Sequence, residues 1–347
     1  MDHYAGIDVS LESSSVCVVD AAGKIVRENK VASEPEALLR WFAALGFELT
    51  RIGLEAGPLS QWLFRAMQQG GLAVELLETR HVQHALATAA VKTDRKDARG
   101  IAQLMRMGWF KPVHCKSIEA QETRAMLTAR ELLQSNLHQL EMSLRGILRG
   151  FGLKVGKVTR IGFSDRITEL VAEHPSLQEI ATAMLKARNE VLRQFNILEK
   201  RVRDTARCDT RARLLMSVPG VGPIVALTFA AAIDDPARFK TSKDVGPHFG
   251  LTPTRYQSGE TDRIGRISKA GDGSVRWVLY EAAHLIITKP LKGCTGLKSW
   301  AMRLVKRGGI KKATVELARK LAVIMHRMLV DGTPFSTTGR VAPCSAP

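Results

Sequence analysis

The sequence predicts an α/β unit followed by helical ones. Three observations carry this. Short runs rich in β-branched and small apolar residues crowd the first 80 positions and alternate with helical patterns. From about Ser117, apolar residues recur at spacings of three and four. Beyond Leu214 come a Gly-rich stretch and then three basic helical stretches.

Residues 3–31 read as a meander of strands. "YAGIDVS" and "SSVCVVD" are strands, "AAGK" is a turn, and "IVRENKV" is a third strand. "SEPEALLRWFAALG" starts a helix, with Ser33 and Glu36 at capping-box spacing and Gly46 as the stop. "RIGLEAG" is a short strand, "PLSQWLFRAMQQGG" a helix and "LAVELLE" a further strand. One long helical stretch is expected from about His81 to Met107.

Leu133, Leu137, Leu140, Leu144 and Leu148 form a narrow stripe, as do Val191, Phe195, Leu198 and Val202. They predict a helical, coiled-coil-like arm over residues 117–206, with a loop and short helices over 151–183. It would serve as a spacer, or for dimerisation or grip on nucleic acid. A third unit follows from about 212 to 330. "SVPGVGPIVALTFAAAI" predicts a hairpin turn into a buried helix, and basic helices are expected near 273–288, 296–306 and 311–329. The tail, 331–347, has the composition of a disordered segment.

Lys and Arg outnumber Asp and Glu by 51 to 34, for a net charge of +17. From Arg263 to Met328, fifteen Lys or Arg stand against three acidic residues. Nucleic acid is the default partner for such a chain. The five cysteines fall in no CxxC spacing, so neither a disulfide framework nor a zinc site is indicated. The N-terminus lacks the pattern of a signal peptide. The uncharged run from Ser217 to Ile233 is broken by Pro219, Gly220, Gly222 and Pro223, too short to span a bilayer. A cytoplasmic protein is expected.

Two aspartates, Asp94 and Asp97, lie one helical turn apart in "VKTDRKDAR", among Lys92, Arg95, Lys96 and Arg99. They can be part of a solvated helix face of alternating charge. With Asp8 in the first strand and Glu55 at the end of "RIGLE", they can instead form a carboxylate set for Mg²⁺, which suits phosphate chemistry. Asp in a first strand, Glu in a later one and carboxylates on a following helix is the layout of RNase H-like nucleases. Ser258, in "RYQSGETDRIGRISKAG", is a turn residue or a nucleophilic hydroxyl. Arg255, Arg263, Arg266 and Lys269 around it are candidate phosphate contacts. Gly220 and Gly222 in "PGVGP" can offer backbone N–H groups to phosphate, or simply make a tight turn. With nineteen aromatics in the chain, grip on the phosphate backbone is expected to outweigh base stacking.

"YAGIDVS", "LEAG", "KTDRKDAR", "SVPGVGPIVA", "FGLTPTRYQSG" and "GRISKAGDGSVR" together resemble one family, the DEDD insertion-sequence transposases. These are bridge-RNA-guided serine recombinases related to Piv-type DNA invertases. The resemblance runs from about residue 4 to 330. It implies a RuvC-like, RNase H-fold domain over 1–112, and Asp8, Glu55, Asp94 and Asp97 as its metal tetrad, with two Mg²⁺ ions possible. The arm would join it to a mainly helical C-terminal transposase domain with Ser258 as nucleophile. It also implies a phosphoserine link to DNA, multimers around two duplexes (a dimer of dimers), and a structured noncoding RNA choosing the sites. The family's "EATG" is "EAGP" here, Glu55 to Pro58, so a different turn is expected after Glu55. The rivals are a metal-dependent nuclease of the junction-resolvase kind and a non-enzymatic nucleic-acid-binding protein.

Overall fold

The computed structural model describes residues 2–87 and 93–336. The chain divides into two compact units, residues 1–116 and 117–347, so the helical arm and the segments after it form one unit.

The first unit is built on five strands: β1 (His3–Val9), β2 (Ser13–Asp20), β3 (Ile25–Ala32), β4 (Arg51–Glu55) and β5 (Val74–Leu77). Their order is β3-β2-β1-β4-β5. β1 and β2 are antiparallel, as are β2 and β3, while β4 runs parallel to β1 and β5 parallel to β4. A three-stranded meander extended by two parallel strands is the RNase H-like arrangement. Ala5, Ile7, Val16, Val18, Ile52 and Leu54 point to one face, under α1 (Pro35–Ala43) and α2 (Ser60–Gln69). Tyr4, Cys17, Val19 and Leu77 point to the other, under α3 (Thr79–Leu86) and α4 (Asp94–Met107). With both faces covered, β1, β2 and β4 read as continuous apolar runs rather than alternating ones.

Two local expectations change. Ser33 does not cap α1: its hydroxyl donates to the Ser10 carbonyl and bonds the Ser14 hydroxyl, and Pro35 opens the helix instead. The expected helix over 81–107 is two helices. Extended backbone at Thr93 starts α4 afresh, with its side chain accepting from the Lys96 N–H.

In the second unit α5 (Ile118–Gly150) and α7 (Pro175–Cys208) run side by side, burying Leu137, Leu144, Phe195 and Val202. Between them, α6 (Phe163–Leu170) packs Phe163 and Ile167 onto Leu144 and Leu148. Arg188 is 2% exposed there, bonded through Nε and Nη2 to Glu141. α8 (Thr210–Leu215) and a turn lead to α9 (Pro223–Ile233), buried from Ala226 to Ile233 because it is apolar on every side. After α10 (Val245–His248) comes a two-stranded hairpin, β6 (Pro253–Ser258) and β7 (Thr261–Ile267), where only a Gly-rich turn region was expected. α11 (Gly273–Thr288) and α12 (Thr295–Asp331) complete the unit. α12 bends at Gly309 (φ 79°), so the three basic helices expected from the sequence are present.

Candidate functional site

Gly6 and Gly53 explain how α4 reaches the sheet. A Cβ on Gly6 would lie 2.2 Å from the Ala98 carbonyl oxygen and 2.3 Å from the Ala102 nitrogen. One on Gly53 would lie 2.7 Å from Met105 Cγ and 2.8 Å from Ile101. The helix therefore rests directly on two side-chain-free positions. Asp8 and Glu55 stand two residues further along these same strands, so they share the face that α4 covers. The last paired residues of the parallel ladder are Ile7 and Leu54, which makes Asp8 and Glu55 neighbours.

The direction of α4 brings its first turn to the same end. Near its C-terminus, Gln103 donates to the Gly23 carbonyl and Arg106 to that of Ala21, at the β2–β3 turn. That turn lies at the His3 end of β1, so Asp94 and Asp97 fall at the Asp8 end. A groove of about 610 Å³ is lined by both Asp94 and Ser15, and Ser15 is the register partner of Asp8. Asp94 is exposed; Asp8, Glu55 and Asp97 are half-buried. The four expected carboxylates thus share one end of one face. They do not close into a cage: among the described residues, no three acidic, imidazole or thiol side chains converge as a metal-ligand group. The donor set is all carboxylate oxygen, which fits a hard divalent cation.

The cations of this segment separate. Arg95 Nε donates to Glu28 Oε2 at 2.8 Å, and Arg99 grips both oxygens of Glu28, with Nη2 at 2.7 Å. The bond from Arg99, with that from Arg95, holds the Glu28 carboxyl down at about 2 against the opposing effect of burial. Glu28 was not singled out from the sequence, because its partners lie about 70 residues away. Lys96 is exposed, and Lys92 lies outside the described residues. The turn after Glu55 is closed by Ser60, which is 1% exposed. Its hydroxyl donates to the Glu55 carbonyl at 2.5 Å and accepts from the Gly57 N–H at 3.0 Å.

Ser258 ends β6 and pairs with Thr261 across a two-residue loop whose first residue, Gly259, has φ 55°. Glycine there is what a type II′ hairpin requires. Ser258 is exposed, as is most of the hairpin. The register puts Tyr256 and Arg263 on the face of Ser258. Arg255 is on the opposite face, bonded twice to Asp262 at 2.8 and 2.6 Å. Arg266 and Lys269 are exposed toward the root.

The root is fixed by groups the sequence reading passed over. A Cβ on Gly250 would lie 2.3 Å from the Ala270 nitrogen, and one on Gly271 would lie 2.2 Å from the His248 oxygen. Both have positive φ. Arg276 Nη1 donates to the carbonyls of Phe249, Ala270 and Gly271. Asp272 caps α11 by accepting from the Ser274 and Val275 N–H groups, and it is ion-paired with Arg124 of α5. Burial pushes the Asp272 carboxyl up, but Arg124 and the two N–H groups outweigh it and hold it below the usual range. Of the turn glycines, Gly220 (φ 86°) lies against α11, 3.2 Å from Ile286 by its virtual Cβ, while Gly222 has open space around it.

Comparison with known proteins finds transposases over both segments of the chain. A profile of the DEDD transposases of the IS110 type matches residues 5–152, and one of the IS116/IS110/IS902 transposase family matches 212–293. The transposase for insertion sequence element IS1111A of Coxiella burnetii is 26% identical over 333 residues, 93% of this chain and 88% of that one. The putative transposase y4pF/y4sB of Sinorhizobium fredii is 29% identical over 82% of this chain and 74% of its own. Among solved structures, Thermus thermophilus RuvC in complex with a Holliday junction substrate aligns with 33% of this chain and 100% of its own, at 17% identity and a TM-score of 0.26. The RNase H-like assignment rests on the strand order and not on that alignment. Fold and matched segments together define a DNA transposase. The chain belongs to the DEDD insertion-sequence transposases of the IS110/IS116 family.

Proposed function

We propose that this transposase cuts and rejoins DNA through a phosphoserine link at Ser258, assisted by Asp8, Glu55, Asp94 and Asp97. The observation that carries the reading is the placement of Ser258. It is an exposed hydroxyl at the tip of a largely uncovered hairpin, with Arg263 on the same face. The two catalytic regions correspond to the RuvC-like residues 1–112 and the transposase residues 212–330, with the arm 117–206 between them in sequence.

The chemistry follows from the side chains. The Ser258 oxygen attacks a phosphodiester phosphorus, losing its proton as a bond from phosphorus to a DNA oxygen breaks. Arg263 offsets charge on the non-bridging oxygens. The hydroxyl of a second DNA end then attacks the phosphoserine, and the serine hydroxyl is regenerated. Mg²⁺ held by the four carboxylates would supply polarisation of the phosphodiester oxygens. Held there, it would also offset the repulsion among Asp8, Glu55, Asp94 and Asp97.

The groove lined by Asp94 and Ser15 suits a nucleic-acid strand, with Lys30 at its border. Lys96, Arg266 and Lys269 are exposed and suit phosphate contacts. Arg95, Arg99 and Arg255 reach a polyanion only by sharing or leaving their carboxylate partners. Lys92, outside the described residues, is kept as a candidate contact, as are the N–H groups of Gly220 and Gly222.

The reading takes DNA element ends and target as substrates and a structured element-encoded RNA as guide, and the charge of +17 suits such polyanions. Handling two duplexes calls for a homo-oligomer, a dimer of dimers. Among the described residues no helix is long and apolar enough to cross a membrane, and the reading places the enzyme in the cytoplasm. The test is Mg²⁺-dependent strand breakage of element-end DNA with its flanking RNA. Loss of breakage in both Ser258→Ala and Asp94→Asn is expected. Unchanged cutting by Ser258→Ala would favour a plain nuclease. Binding without breakage by the wild type would favour a non-enzymatic binder.

A further inference from the structure

The root of the serine hairpin carries a second feature. A pocket of about 330 Å³ opens there, lined by Leu251 and Ile267 of the hairpin base, Trp277 and Tyr280 of α11, and Lys269 and Arg276. Trp277 and Tyr280 are three residues apart, so they stand on one side of the helix. They are not core residues. The buried face of α11 is made by Val275, Val278, Leu279, Ala282, Ala283 and Ile286. Trp277 is instead 58% exposed. An exposed indole beside cations offers an aromatic face on which a planar ligand can stack.

Lys269 adds a further sign. Its φ is 53°, a left-handed conformation that few residues other than glycine adopt. Strain of this kind gathers at binding sites. It is held by the Lys269 N–H, which donates to the Gly250 carbonyl, and by the Arg276 guanidinium on the Ala270 carbonyl. An exposed ammonium group therefore stands at the mouth of an aromatic pocket.

We propose that this pocket seats one unstacked nucleobase of single-stranded DNA, with the base against Trp277 and Tyr280 and its phosphate near Lys269. The proposal rests on the DNA reading above and adds a positioning site to it. The volume lies at the low end for ligand pockets, about 300 to 1,000 Å³, so it admits one nucleoside and no duplex. A base offers its face only when it has left the stack, and aromatic residues then bind it with little sequence preference. Strands of this length reach about 20 Å. A base held at the root therefore sets which phosphate along the strand lies at Ser258.

The test uses the full chain carrying Ser258→Ala, without divalent metal, so that binding is read apart from chemistry. The probes are fluorescein-labelled oligodeoxythymidylate, its ribo counterpart and a DNA duplex, followed by anisotropy. Trp277→Ala is expected to weaken binding of the DNA single strand about tenfold, with the slope against salt and the duplex affinity unchanged. Trp277→Phe is expected to restore the affinity while removing part of the tryptophan quenching seen on binding. Tyr280→Leu is expected to give a smaller loss. Wild-type affinity in Trp277→Ala, no single-strand binding by the parent, or dependence on Trp277 only with the RNA would each overturn the proposal. Absence of a phosphoserine adduct in the wild-type chain incubated with Mg²⁺, with the Trp277 dependence intact in the Ser258→Ala chain, would overturn the mechanism and leave this site standing.

Discussion

Gly6 of β1 lies against the backbone of Ala98 in α4, so closely that a Cβ would fall 2.2 Å from the Ala98 oxygen. This contact joins the strand of Asp8 to the helix of Asp94 and Asp97. Gly6→Ala must push the helix off the sheet, because backbone cannot rotate away as a side chain can. We expect it to cost about 3 kcal/mol in denaturant unfolding and to remove DNA cleavage. Gly46→Ala is the control: its φ is 76° but nothing lies within 4 Å, so only backbone strain of about 1 kcal/mol applies.

Asp8→Asn and Asp94→Asn should each lower Mg²⁺-dependent cleavage about 10²- to 10³-fold without weakening the fold. Mg²⁺ should raise the unfolding temperature of the wild type, as any ligand bound only by the native state does. It should leave the double variant unchanged. A thermal scan with and without Mg²⁺ checks this, and equal rises in both proteins would place the ion elsewhere.

Glu28 predicts an acid-sensitive contribution to stability. Its folded value of about 2 lies below its ordinary 4.5, chiefly because of Arg99. The stabilisation is therefore complete above about 4.5 and is lost as pH falls toward 2. Glu28→Gln should cost about 1–3 kcal/mol at pH 7. The difference from wild type should shrink across that acid range. A gap that stayed constant down to pH 2 would contradict the assignment.

Burial and the neighbouring Glu28 carboxylate push the Cys17 thiol up to about 12. With little thiolate, it should resist alkylation in the native protein and react only on unfolding. Among the cysteines of the described residues, Cys208 is the exposed one and should label before the others. Peptide mapping after brief iodoacetamide treatment decides between them.

Much of the first unit was legible because its strands are short runs of β-branched and small apolar residues, buried on both faces, as Val16 to Val19 are in β2. Asp8, Glu55, Asp94 and Asp97 were found as types and spacings, and Gly6 and Gly53 then show why they share an end. Glu28 was not legible: a lone Glu in a strand says nothing of Arg95 and Arg99 until the fold is known. Nor were Arg276 and Asp272, whose partners are carbonyls and a distant Arg124. The hairpin was read as loose glycine-rich turn because its strands bury almost nothing, so no periodic pattern marks them. Trp277 was passed over for a related reason: at three-residue spacing beside apolar positions it looks like core.

The most direct test of the central claim is mass spectrometry of the denatured protein after incubation with Mg²⁺, element-end DNA and flanking RNA. We predict a nucleotide-phosphate remnant on Ser258, absent in Ser258→Ala and in Asp94→Asn. Cleaved DNA with no remnant on any residue, or a remnant on a different one, would contradict the claim.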